Sequence, residues 1–121
     1  MTEVNGEREA LKQVGAILEE FRAAVSPVAT LSLAHTFVTV ALNEGKNLTE
    51  MASIMGAKVP TISRNVLDLG ERNRRKTDGY RLVKSEQDPM NLRSNKYALT
   101  PRGRQIANRL IKIVHNTKAQ A

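Results

Sequence analysis

Between Thr49 and Leu69 two short apolar-periodic segments are separated by only three residues, Gly56, Ala57 and Lys58. A link that short makes the second helix leave the first at a steep angle, so the pair must share one small core. Thr49 can cap the first helix, from Glu50 to about Met55, while Asn47 with Glu50 offers a competing capping box. Met51, Ala52, Ile54 and Met55 supply apolar contacts, and Gly56 ends the helix. The second helix starts near Val59, with Pro60 tolerated in its first turn. Ile62, Val66 and Leu69 fall on one face, which leaves Thr61, Ser63, Arg64 and Asp68 outward.

The flanking segments are helical on the amino-terminal side and mixed on the other. Ala10, Val14, Ile17, Leu18, Phe21 and Val25 predict a helix from about Glu7 to Val25, with frayed ends at Met1–Asn5 and Thr117–Ala121. Ser26 reads as an N-cap with Pro27 in the first helical position. The helix it opens runs to about Asn43, turns Leu31, Ala34, Phe37, Val38 and Leu42 inward, and closes at Gly45. It is apolar almost all round and therefore reads as the central buried helix. Asn73–Gly79 is polar and basic, with a turn signal at Asp78-Gly79. Tyr80, Leu82 and Lys84 alternating with Arg81 and Val83 predict a strand, and Asn95–Leu99 a second one with Tyr97 and Leu99 on one face. Glu86–Ser94, which contains Pro89, reads as the hairpin loop between them. Thr100-Pro101 opens a last helix striped by Ile106, Leu110, Ile113 and Val114. The boundaries amount to amino-terminal helices over 7–43, the helix pair and hairpin over 48–100, and a carboxy-terminal helix over 101–117, all in a single domain.

The charge is placed unevenly. The 121 residues carry a net +7, and Lys58–Arg104 alone holds twelve bases against five acids, so the remainder is neutral. A surface of that kind suits a polyanion. The aromatic residues are Phe21, Phe37, Tyr80 and Tyr97, and there is no Trp, which disfavours a single-strand binder that stacks bases. With no cysteine, thiolate metal sites, disulfides and cysteine nucleophiles are excluded. His35 reads as a satisfied core histidine, and His115 as a last-turn residue favoured by the helix dipole. Neither has the clustered partners a metal site needs, and Met51, Met55 and Met90 read as packing or surface residues. Glu7, Glu9, Glu19 and Glu20 form a solvated face. No phosphate loop and no catalytic triad pattern is present, so neither an enzyme nor a cofactor is expected. The acidic amino terminus does not resemble a signal peptide and no apolar run is long enough to span a bilayer, so the expectation is a cytoplasmic protein without membrane partners.

A short helix, a tight turn, a second helix and a basic hairpin make a winged helix-turn-helix, mainly α with a small β-hairpin. The second helix, about 59–70, suits the major groove, where Lys58, Thr61, Ser63, Arg64 and Asp68 would meet base edges. Arg64 is the candidate for a bidentate contact to guanine, or else for a phosphate. The wing, about 84–96, would bring Asn91, Arg93, Ser94 and Lys96 to the adjacent minor groove. Thr49, Arg72, Arg74, Arg75 and Lys76 would meet the backbone.

At these residues the chain resembles the MarR family. Leu48-Thr49-Glu50-Met51-Ala52 is similar to that family's Leu-Thr-x-x-(Leu)-Ala opening, and Thr61 to Leu69 to its Thr-Val-Thr-Arg-Leu-Val-Asp-Arg-Leu recognition helix. Asp88-Pro89 through Arg93 to Leu99-Thr100-Pro101-Arg102-Gly103 is similar to its wing and the Leu-Thr-x-x-Gly that follows. The similarity covers Leu48 to Arg104. Asn91 stands where the family usually has the Asp of Asp-x-Arg, Asn65 where it is usually apolar, and the link from Arg72 to Gly79 is longer than usual. The resemblance implies a homodimer paired through its first and last helices, and a transcriptional regulator, as a repressor, on a pseudo-palindromic double-stranded operator. An effector ligand is not specified. Two other readings use the same fold: a replication or recombination accessory protein of a mobile element, and a protein–protein interaction module. The charge segregation argues against the last of these.

Overall fold

The structure is a computed structural model. It describes residues 2–71 and 78–120, and side chains over 6–71, 78–91 and 94–115. Five helices and one hairpin follow in the order α1 (Thr2–Ala24), α2 (Leu31–Leu42), α3 (Leu48–Met55), α4 (Val59–Leu69), β1 (Val83–Asp88), β2 (Asn91–Leu99) and α5 (Pro101–Gln120). The chain divides into two compact units, one of residues 1–29 with 105–121 and one of residues 30–104.

In the first unit α1 starts five residues before the predicted Glu7 and buries Phe21. Gln13 Nε2 donates to the Val114 carbonyl at 3.0 Å, and Arg109 Nε meets Glu20 at 2.8 Å, which ties α1 to α5. α5 runs on to Gln120, so His115 lies inside it and not in its last turn. The Phe21 carbonyl accepts from both Val25 and Ser26 and ends α1. Ser26 does not cap a helix: its hydroxyl accepts from Val28 N at 3.2 Å, which folds Ser26-Pro27-Val28 into a turn.

The second unit holds the helix pair. Thr30 is the N-cap of α2, its Oγ1 accepting from Leu33 N at 3.0 Å, and the helix closes at Asn43 and not at Gly45. The inward face also differs from the sequence reading. Leu33, Thr36, Phe37, Thr39 and Val40 are buried, while Leu31 and Leu42 are 78% and 77% exposed and His35 lies on the solvent side. Two threonines replace the expected leucines because each hydroxyl is satisfied within the helix. Thr36 Oγ1 donates to Ser32 O and Thr39 Oγ1 to His35 O, both at 2.8 Å. A helix that is apolar on every side gives no phase from apolar positions alone. α2, α3 and α4 pack against one another around Phe37, Val40, Met51, Ile62 and Leu69.

β1 and β2 pair antiparallel, with Val83 opposite Leu99 and Glu86 opposite Lys96. Two corrections apply here. Residues 80–82 are not strand. Arg81 has φ +59, a left-handed conformation that breaks the alternation and turns both Leu82 and Val83 into the core. Glu86–Ser94 is not a loop either, since β1 reaches Asp88 and β2 begins at Asn91. Asp88 Oδ1 accepts from Met90 N at 2.9 Å, so Pro89 sits in a tight turn where its missing N–H costs nothing. The register slips between Gln87 and Asp88, which leaves residues 92–94 without opposite partners.

Candidate nucleic-acid interface

The short helix is placed by its ends. Asn47, not Thr49, is the N-cap of α3: Asn47 Oδ1 accepts from Glu50 N at 2.8 Å and Glu50 Oε1 from Asn47 N at 3.1 Å. Thr49 lies exposed inside the first turn, and Ile54, expected as a core contact, is 53% exposed. Gly56 at φ +64 supplies the left-handed cap, and Ala57 N returns to Ala52 O at 2.9 Å. Lys58 is the N-cap of α4, exposed and without a side-chain cap bond, so its ammonium projects at the leading end of the helix.

α4 buries Ile62, Val66 and Leu69, as the spacing predicts. Its opposite face is centred on Pro60, Ser63, Arg64 and Leu67, spaced i, i+3, i+4 and i+7. Arg64 is exposed, and its Nε donates to the Pro60 carbonyl at 3.3 Å, which lays the guanidinium toward the leading turn. Thr61, Ser63 and Asp68 are half-buried; Thr61 and Asp68 flank this face. Leu67 is 47% exposed and was missed by a sequence reading that sought polar residues on the outward side. Its signal was position: one turn beyond Ser63 and Arg64 on the same face.

The hairpin is held at its root. Gly45 N donates to Tyr97 O at 2.9 Å and Tyr97 N to Lys46 O at 3.0 Å, so residues 45–46 extend the sheet along β2. Glu44 Oε2 accepts from Leu99 N at 2.9 Å, and its other oxygen pairs with Arg104. No sequence pattern marked Glu44 for this work. Leu82 N donates to Leu69 O at 2.8 Å and Arg81 N to Gly70 O at 2.9 Å, so the end of α4 and the entry to β1 are one hydrogen-bonded piece. A groove of about 570 Å³ lies between α4 and the hairpin, with Ser63 and Leu67 on one wall and Lys84, Ser85 and Asn95 on the other. Burial pushes the Tyr97 hydroxyl above its ordinary value, partly offset by a hydrogen bond with Asn95, so the ring stays neutral at physiological pH.

Along the wing, Lys84 lies 3.5 Å from Glu86 and Lys96 3.9 Å from Asp88. The Lys84–Glu86 pair is exposed and weak, and an incoming phosphate can displace it, while Asp88 is half-buried. Asn91 is exposed at the start of β2 and Ser94 is half-buried. The backbone of Arg93 lies in β2, but its side chain falls outside the described residues, as do Arg72, Arg74, Arg75 and Lys76 entirely. The structure therefore brings Lys58, Ser63 and Arg64 together on α4 and sets Asn91 and Lys96 on the hairpin. Among the described residues no group of three or more His, Asp or Glu side chains could hold a metal, and no helix is long and apolar enough to cross a membrane.

No protein-family model matches the chain, and no curated protein matches it. Solved structures do. An S. aureus MepR mutant bound to an oligodeoxyribonucleotide is 15% identical, with a TM-score of 0.71 over 99% of this chain and 80% of that one. The Streptococcus pneumoniae FabT–DNA complex is 16% identical, with a TM-score of 0.62 over 98% and 78%. The PcaV transcriptional regulator of Streptomyces coelicolor is 20% identical, with a TM-score of 0.58 over 93% and 77%. The five helices and two-stranded hairpin of this chain are thus the MarR-like winged-helix fold.

Proposed function

We propose that this chain is a sequence-specific double-stranded DNA-binding transcriptional regulator acting as a repressor, and that it binds rather than catalyses. The observation that carries the reading is the match between charge and fold. The whole net +7 arises within Lys58–Arg104: residues 78–104, which fold into the hairpin and the first turn of α5, carry +3, α4 and its flanks over 58–71 are balanced, and Arg72, Arg74, Arg75 and Lys76 between them, outside the described residues, carry +4. Solved neighbours of the same fold are DNA complexes. In this reading α4 enters the major groove with Lys58, Thr61, Ser63, Arg64 and Asp68, and the wing follows the adjacent minor groove with Asn91, Arg93, Ser94 and Lys96. Thr49, Arg72, Arg74, Arg75 and Lys76 contribute phosphate contacts. Selection from a random duplex pool tests it. An enriched inverted repeat, with half-sites about one helical turn apart, is the expected result. Recovery of no duplex, or of duplexes without a common sequence, overturns it.

The same reading makes the regulator a homodimer. On α1, Leu11, Val14 and Leu18 form an i, i+3, i+7 stripe that remains 72%, 51% and 47% exposed in the single chain. A second copy would cover it. Light scattering at micromolar concentration is expected to give twice the chain mass of 13.4 kDa. A monomer both with and without DNA would remove the dimer.

A further inference from the structure

We propose that Asn65 is a positioning residue for base recognition: it fixes where α4 lies along α2 and so which atoms the outward face of α4 presents. The proposal rests on the DNA-binding reading of α4. Asn65 is half-buried at the edge of the inward face of α4, next in sequence to Arg64 and clear of the outward face itself. Its amide nitrogen carries two hydrogens and uses both. Nδ2 donates to Ser32 Oγ and to Thr36 Oγ1, each at 2.9 Å. These acceptors are one helical turn apart on α2, so a single side chain on α4 spans one turn of its neighbour.

Elsewhere in this unit the buried residues of α2, α3 and α4 are mainly aliphatic. Such contacts resist displacement by shape but are not directional, and the backbone hydrogen bonds that hold α4 to the entry of β1 lie at its far end, so neither fixes the middle of α4 against α2 as sharply as a side-chain hydrogen bond there. Two hydrogen bonds to oxygens one turn apart on α2 are directional, and displacement of α4 by a fraction of a turn would break both. The buried acceptor is itself fixed. Thr36 is fully buried, and its own proton is committed to Ser32 O at 2.8 Å, which leaves a lone pair aimed at Asn65.

The same geometry predicts that the bridge is dispensable for folding. Without Asn65 the Thr36 hydroxyl still donates to Ser32 O, and Ser32 is exposed to water, so no buried polar group is orphaned. What is lost is the register of α4. Phosphate attraction tolerates a small displacement, whereas a base-edge contact does not.

The test compares wild type, Asn65→Leu and Thr36→Val on the duplex selected by wild type and on random duplex, at several salt concentrations, alongside thermal melting. Asn65→Leu is expected to melt no lower than wild type and to keep its affinity and salt slope on random duplex. Its preference for the selected site should fall about tenfold or more, the scale of one lost base contact. Thr36→Val, which removes one acceptor at constant shape, should lose preference in the same direction and by less. Unchanged preference in a folded Asn65→Leu overturns the assignment while leaving the regulator reading intact. If wild type itself shows no preference, the regulator reading fails and the assignment with it. Should Asn65→Leu not fold, the predicted dispensability is wrong and the proposal falls, unless Thr36→Val folds and shows the selective loss.

Discussion

Gly103→Ala is expected to cost about 3 kcal/mol of folding stability, toward the upper end for overpacking. Gly103 is buried in the first turn of α5, and a Cβ built on it would lie 2.1 Å from the Leu82 carbonyl oxygen. That oxygen is backbone and cannot swing away. It also accepts from Thr100 N at 3.0 Å, and Leu82 is bonded in turn to the end of α4. The added methyl must therefore push α5 away from the segment that ties α4 to the hairpin. Urea unfolding would read the loss, with a melting decrease on the order of 10 °C. The matched control is Gly15→Ala, at an exposed position of α1 where nothing lies within 4 Å of a new Cβ. It should raise stability by roughly 0.5–1 kcal/mol through helix propensity. Equal effects from the two substitutions would show that the close approach at Gly103 is not what fixes that residue.

Arg64→Ala is expected to lose about 1–3 kcal/mol on the selected site and much less on random duplex, if the guanidinium meets a base. Arg64 is the one long cationic side chain at the centre of the outward face of α4. Its bond to the Pro60 carbonyl is a single exposed interaction at 3.3 Å, which a base edge can replace at small cost. Arg64→Lys separates the roles. Lysine keeps the charge but not the fork of donors that fits guanine O6 and N7, so it should rescue phosphate contact and fail to rescue guanine recognition. Titration of the three proteins on both duplexes decides the matter. Loss of equal size on both DNAs would make Arg64 a phosphate contact.

The helix pair was legible because its signals are local. Gly56, Pro60 and the Ile62–Val66–Leu69 spacing each act over a few residues, and each lies where it was expected. The capping box at Asn47 was visible too, but Thr49 offered an equally good local signal, and the choice depended on which residue preceded the helical backbone. What could not be read depended on distant partners. Thr36 and Thr39 are buried because their hydroxyls bond their own helix, so their polarity misled. Arg81 is held left-handed by Gly70 on one side and by Thr100 Oγ1, 2.7 Å from its carbonyl, on the other. Neither contact is local in sequence. Within the candidate site, Lys58, Ser63 and Arg64 followed from helical geometry alone. Glu44 and Asn65 did not, because their partners Leu99 and Arg104, or Ser32 and Thr36, lie tens of residues away.

The pairing of the hairpin bears on solubility. β2 has β1 on one side and residues 45–46 on the other, whereas among the described residues β1 pairs with β2 alone. Among the described residues β1 is thus the edge strand of the sheet, the kind of edge on which strands of other molecules can stack. Lys84, Glu86 and Asp88, three ionisable residues, stand on this six-residue strand. The two acids weaken the attraction of this hairpin for a polyanion, a poor choice if nucleic-acid affinity were its only constraint. They make sense as a guard against edge-to-edge self-association through this strand.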